Sequence, residues 1–122
     1  MVLSPTARRN LELMLLGACI SGDKGISKKI LVALPRGAFQ FEQQEIFNAV
    51  RDNDPKMVVS LLGLSPQKGM SPIETIIDII QEDNDKQRCR AIVKGFASSK
   101  GLESIEELKA RLKDALEELE NG

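Results

Sequence analysis

Three short pairs, Ser4-Pro5, Asp54-Pro55 and Ser71-Pro72, constrain this chain more than anything else in it. A Ser or Asp oxygen accepts a hydrogen bond from an otherwise orphaned N–H of a first helical turn. Proline is well suited to the first helical position, where its missing N–H costs nothing. Each pair therefore marks a helix start. Ser71-Pro72-Ile73-Glu74 extends the signal into a reciprocal capping box, and Ser104-Ile105-Glu106-Glu107 has the same form. Composition agrees. Hydrophobic residues make up 42% of the 122 positions, but the only aromatics are four Phe. A core of Leu, Ile, Val, Met and Ala favours helices over strands.

Between these markers the apolar spacing predicts seven helices. The first runs from about Pro5 to Ile20, with Leu11, Met14, Leu15, Ala18 and Cys19 on one face and a break at Ser21-Gly22-Asp23. The second covers about Gly25 to Leu34 and ends at Pro35-Arg36-Gly37. Phe39 and Phe41 lead into a third, about Glu42 to Arg51, with Ile46, Phe47 and Val50 inward. Asp52-Asn53-Asp54 is a tight turn. A fourth helix spans about Pro55 to Leu62, with Gly63 as a left-handed cap. Residues 63–71 form a loop. A fifth helix, about Pro72 to Glu82, carries Ile73, Ile76, Ile77 and Ile80 at helical spacing, and Asn84-Asp85 breaks or bends it. A sixth covers about Lys86 to Ser98, with Cys89, Ile92, Val93 and Phe96 on one side.

The last helix, Ile105 to Glu120, places Ile105, Leu108, Leu112, Ala115 and Leu119 at steps of three and four, a coiled-coil seam. With helix six and the short turn before it, this seam predicts an antiparallel helical hairpin. The fold class is all-α: a small helical head over 1–66, then C-terminal helices over 67–122 ending in the hairpin, one domain overall. The hairpin's stripe packs inside the chain or against another; its spacing fits both. On the second reading the contact surface is Ile92, Phe96, Leu108, Leu112, Ala115 and Leu119, with Lys94 and Arg111 at the rim. The expected core is Leu11, Leu15, Phe39, Ile46, Phe47 and Val50.

The residues offer little chemistry. Histidine is absent, which removes Ser-His and Cys-His pairs and the usual zinc sites. The Lys-Gly pairs at 24, 68, 94 and 100 have the wrong order for a phosphate loop. Glu106-Glu107 and Glu117-Glu118 read as a solvated face rather than an acid/base pair. No catalytic residue, cofactor or metal is expected. Cys19 and Cys89 lie in apolar helical contexts and read as small buried side chains, in keeping with a reducing cytoplasm. No run approaches the roughly 20 apolar residues of a membrane span, and the N-terminus has no signal-peptide pattern. Net charge is −1, too balanced to hold nucleic acid by field alone. Lys86, Arg88, Arg90 and Lys94 could touch phosphates, but no aromatics interleave for base stacking.

Asn10-Leu11-Glu12-Leu13-Met14-Leu15-Leu16-Gly17-Ala18 resembles the first helix of the N-terminal domain of DnaB-type replicative helicases, with its Glu-x-x-x-Leu-Gly pattern. Leu34, Phe39 and Gln44-Glu45-Ile46-Phe47-Asn48-Ala49-Val50 are similar to that domain's Leu…Phe…Ile-Phe-x-Ala-hydrophobic run, and Lys86 to Leu119 to its charged hairpin. The resemblance implies a helical head and hairpin that do no chemistry but pair between subunits into a collar and receive primase or a loader. The helicase-binding domain of DnaG-type primases has a similar shape. The family's ATPase domain is missing, so an excised domain or a free-standing phage or plasmid loader or adaptor fits. The loop at 63–71 departs from the family pattern. The expected partners are thus a replicative helicase or primase and further copies of the chain, as a homodimer or higher oligomer. A small helical DNA-binding regulator is the competing class.

Overall fold

The computed structural model describes residues 4–22, 24–34, 44–99 and 105–121. These residues form seven helices: α1 (Pro5–Ser21), α2 (Lys24–Ala33), α3 (Gln44–Arg51), α4 (Pro55–Leu61), α5 (Pro72–Asp78), α6 (Asp83–Ser99) and α7 (Ile105–Asn121). Each proline pair starts a helix as expected. Ser4 accepts from the Ala7 N–H, Asp54 from that of Met57 and Ser71 from that of Glu74, each at 3.1 Å. The Glu74 carboxylate accepts in turn from the Ser71 N–H, completing the capping box. Ser104 lies outside the described residues. Gly63, at φ +74°, ends α4 in the left-handed region where a Cβ would be strained.

The organising element is α1. An amphipathic helix with one inner face is the sequence expectation, but every residue from Asn10 to Ile20 is buried. Leu11, Leu13, Met14, Leu15 and Leu16 point in successive directions around the axis, so neighbours are needed on all sides. They are supplied by α2, α3, α5, α6 and α7, while α4 packs on α3 and α5. Gly17 allows the closest approach to α6: a Cβ there would sit 3.4 Å from both Cys89 Sγ and Val93 Cγ2. One apolar cluster includes residues of all seven helices, so 1–66 and 67–122 share a core.

The far end of α1 is tied down by side chains. The Ser21 hydroxyl donates to the Ala18 carbonyl at 2.8 Å, and the buried Ser27 hydroxyl of α2 donates to that of Cys19. Asn53 Nδ2 donates to the Gly22 carbonyl at 2.7 Å. Carbonyls that a helix C-terminus leaves without partners are thereby satisfied. Asn53 itself sits at φ +53° in the turn between α3 and α4, a conformation asparagine tolerates better than most residues.

Two expectations change. The fifth helix stops at Asp78, not near Glu82, and α6 begins at Asp83 rather than Lys86. Asn10 Oδ1 takes the Gln81 N–H at 3.3 Å, diverting the chain, and the Lys86 N–H then bonds the Glu82 carbonyl to open α6. Asp83 and Asp85 fall in its first turn, where the helix dipole favours acids. The central helix also sets how the last two helices pack. The main neighbours of α7 are α2 and α1, and those of α6 are α1 and α5. The two last helices both lean on the central helix, because α1 offers apolar surface on every side.

Candidate functional site

The seam expected to carry association faces inward. Phe96, Leu108, Leu112 and Ala115 are all buried within the chain's own core. Ile92 is half-buried and packs against that core; Lys94 is exposed. The side chains of Ile105 and Leu119 lie outside the described residues. Arg111 lies over the Phe96 ring, 5.6 Å from its centroid, and the absence of a side chain at Gly95 makes room for its guanidinium. Arg111 therefore closes the core where α6 and α7 meet. The buried part of the stripe packs against α1 and α2, the internal alternative of the two its spacing allows. Of the expected core, Leu11, Leu15, Ile46 and Val50 are buried and Phe47 is partly so, while Phe39 lies outside the described residues.

A polar cluster penetrates the core at the near end of α1. Asn10 is buried; its Nδ2 donates to Asp85 Oδ2 at 3.2 Å while its Oδ1 holds the Gln81 N–H. Asp85 is also buried and receives Arg88 Nη1 at 3.4 Å. One turn along, the buried Glu12 carboxylate pairs with Arg8 Nε at 3.5 Å. The Asn10 contacts fix how α1 meets the α5–α6 junction, while the Arg8–Glu12 pair lies along α1 itself. Sequence reading placed Asn10 and Glu12 within the family-like segment and Asp85 at a helix break, and gave none of them a buried role. The available signal was a lone Asn and Glu inside an otherwise apolar helix.

The surface is divided by charge. Gly25, Lys28, Lys29 and Val32 lie at helical spacing along α2 and are all exposed, Val32 at 78%. No acid occurs between Asp23 and Glu42, a stretch holding Lys24, Lys28, Lys29 and Arg36. Conversely, no base occurs between Lys68 and Lys86, a stretch holding Glu74, Asp78, Glu82, Asp83 and Asp85. Of these, Asp78, Glu82 and Asp83 are exposed around the α5–α6 junction. A whole-chain net charge of −1 averages these blocks out. The basic block lies by the C-terminal part of α1, where Ser27 meets Cys19, and the acidic one by its N-terminal part, where Asp85 meets Asn10. Those contact points on α1 are nine residues apart, about 14 Å of helical rise.

Other features are chemically quiet. Arg90 and Lys94 are exposed, and Lys86 and Arg88 are half-buried. Both thiols are buried and free. Burial raises both thiol pKa values; Cys89 is pushed up to about 12 although the Arg90 charge pulls it down. Protonated thiols in apolar surroundings are poor nucleophiles. An open concavity of about 540 Å³ beside α4 is lined by Lys56, Ser60, Ser65, Leu64 and neighbouring prolines, without converging acid and base. Among the described residues no group of three or more Cys, Asp or Glu is placed to hold a metal ion, and no helix is long and apolar enough to cross a membrane. Comparison with protein-family models, with curated proteins and with solved structures finds no match to this chain.

Proposed function

We propose that this chain is a non-catalytic interaction module of DNA replication. In this reading it acts in the cytoplasm, associates with copies of itself and docks a replicative helicase or primase. The observation that carries the reading is the pairing of the two segments that resemble the helicase N-terminal domain. Asn10–Ala18 belongs to the central helix α1 and Gln44–Val50 forms most of α3, and these two helices pack on one another. Ile46, Ala49 and Val50 are buried at the inner side of α3. Short helical motifs gain weight when they build one packed unit instead of lying on unrelated surfaces. With the seam buried, the reading places its contacts on the charged outer faces.

The test is co-sedimentation of the full chain with a purified replicative helicase and, separately, with a purified primase. Binding to the primase fits a helicase-like collar, and binding to the helicase fits a primase-like or adaptor domain. If neither partner shifts the chain at micromolar concentrations in low salt, the replication reading fails. A gel shift with duplex DNA at two salt concentrations separates the regulator class, whose affinity would fall steeply as salt rises.

A further inference from the structure

We propose that copies of this chain associate head to tail, the α2 face of one seating on the α5–α6 junction of the next. This deepens the self-association part of the reading above and rests on it.

Three complementarities support the contact. The first is charge: Lys28 and Lys29 are exposed and make no ion pair among the described residues, and the same holds for Asp78, Glu82 and Asp83. The second is shape. Val32 stands out from the basic stripe at 78% exposure, an unusual place for a β-branched apolar side chain flanked by lysines. Beside the acids lies a hollow of about 280 Å³ lined by Pro5, Thr6, Arg9, Asn10, Ile79 and Gln81. Its apolar members, Pro5 and Ile79, offer Val32 a seat, with Glu82 and Asp83 following Gln81 in the chain to meet the lysines. Arg9 lines the same hollow and opposes the incoming lysines, so Glu82 and Asp83 must outweigh it.

The third is placement. The two faces meet α1 at different points along its length, so one copy cannot bring them together by itself. Different patches meeting in this way make a heterologous contact, which closes into a ring or runs on as an open chain. A nucleic-acid backbone is a poorer occupant, since phosphates would leave Val32 wet.

The experiment is sedimentation equilibrium of the full chain. In low salt the expected mass exceeds the 13.4 kDa of one copy, and it returns toward that value as salt screens the contact. Lys28→Glu with Lys29→Glu weakens association about tenfold or more, and Glu82→Lys with Asp83→Lys does the same. Helicity measured by circular dichroism stays unchanged, because all four positions are exposed. Mixing the two double variants restores association, each altered face now meeting its complement. Three results overturn the proposal: a wild type that stays monomeric in low salt, a Lys28/Lys29 double variant that associates normally, or a mixture that fails to recover. A monomeric wild type that still binds helicase or primase sinks this contact and leaves the replication reading standing.

Discussion

Replacing Leu112 by alanine separates an internal seam from an interface. The side chain is 1% exposed and lies on the same stripe as Leu108 and Ala115, both buried. Truncation removes buried carbons and leaves a hole that α1 and α2 can only partly fill, at a cost of about 2–5 kcal/mol. A domain of this size is stable by about 5–15 kcal/mol, so the loss is a sizeable share of the total. With a urea dependence of about 1–3 kcal/mol per molar, the unfolding midpoint falls by roughly 2 M, within a range of about 0.7–5 M. The assay is a urea titration followed by circular dichroism at two widely separated protein concentrations. An internal seam gives the same drop at both. An interface gives a midpoint that moves with concentration and, for the isolated copy, a change below about 0.5 kcal/mol. That second pattern would refute the packing described here. Leu112→Glu is the harsher version, since it buries a carboxylate that has no designed partner, and it is expected to lose the fold as well as any association.

Asn10→Ala strips a donor from the buried Asp85 carboxylate and an acceptor from the Gln81 N–H. A stability loss of about 2–4 kcal/mol is expected, with faster amide exchange at 79–82; a loss under about 0.5 kcal/mol would show the cluster to be dispensable. Asn53→Ala combines left-handed strain at φ +53° with the loss of the bond to the Gly22 carbonyl, about 2–3 kcal/mol together. Asn53→Gly loses only the bond and should unfold later than the alanine variant; the reverse order in thermal melts would contradict this account of the turn. The buried Cys89 thiol has a folded pKa raised from 9.0 to about 12. Its contribution is fully present below pH 9 and is lost as pH climbs toward 12. Cys89→Ala should flatten the alkaline fall in stability relative to wild type, and parallel pH profiles for the two proteins would disprove the linkage.

How much of this was readable in the sequence follows the range of the interactions. The three proline caps, the Ser71–Glu74 box and the Gly63 turn depend on groups within a few residues, and each appears where the sequence puts it. The end of α5 does not, because it is decided by Asn10, 71 residues upstream of Gln81. Burial of α1 on all sides was hinted at by one acid in Asn10–Ile20, but periodicity alone reads Leu11, Leu15 and Ala18 as a single face. The seam of α7 was found correctly as a stripe. Its partner was not, since a spacing of three and four says that a surface is covered and not by what. The charged blocks were visible in the chain and were missed because charge was weighed as a whole-chain total.

These outcomes share a cause. A central helix apolar on every side takes up the inner faces of α2, α3, α5, α6 and α7 at once. Large apolar side chains are then scarce outside: among the described residues the strongly exposed ones are Val32 and Met57. Among the described residues the greasy surface is spent internally, so recognition through them draws on charge, with isolated apolar residues setting position. Contacts of that kind are individually weak at exposed sites. They act together only where like charges are grouped, as along α2 and around the α5–α6 junction. Any partner that this chain binds through those faces should therefore dissociate with added salt well before the helices melt. A complex that persists in strong salt would mean that a deeper apolar surface opens on binding, and α7, whose buried stripe leans on α1 and α2, is the element to probe by hydrogen exchange.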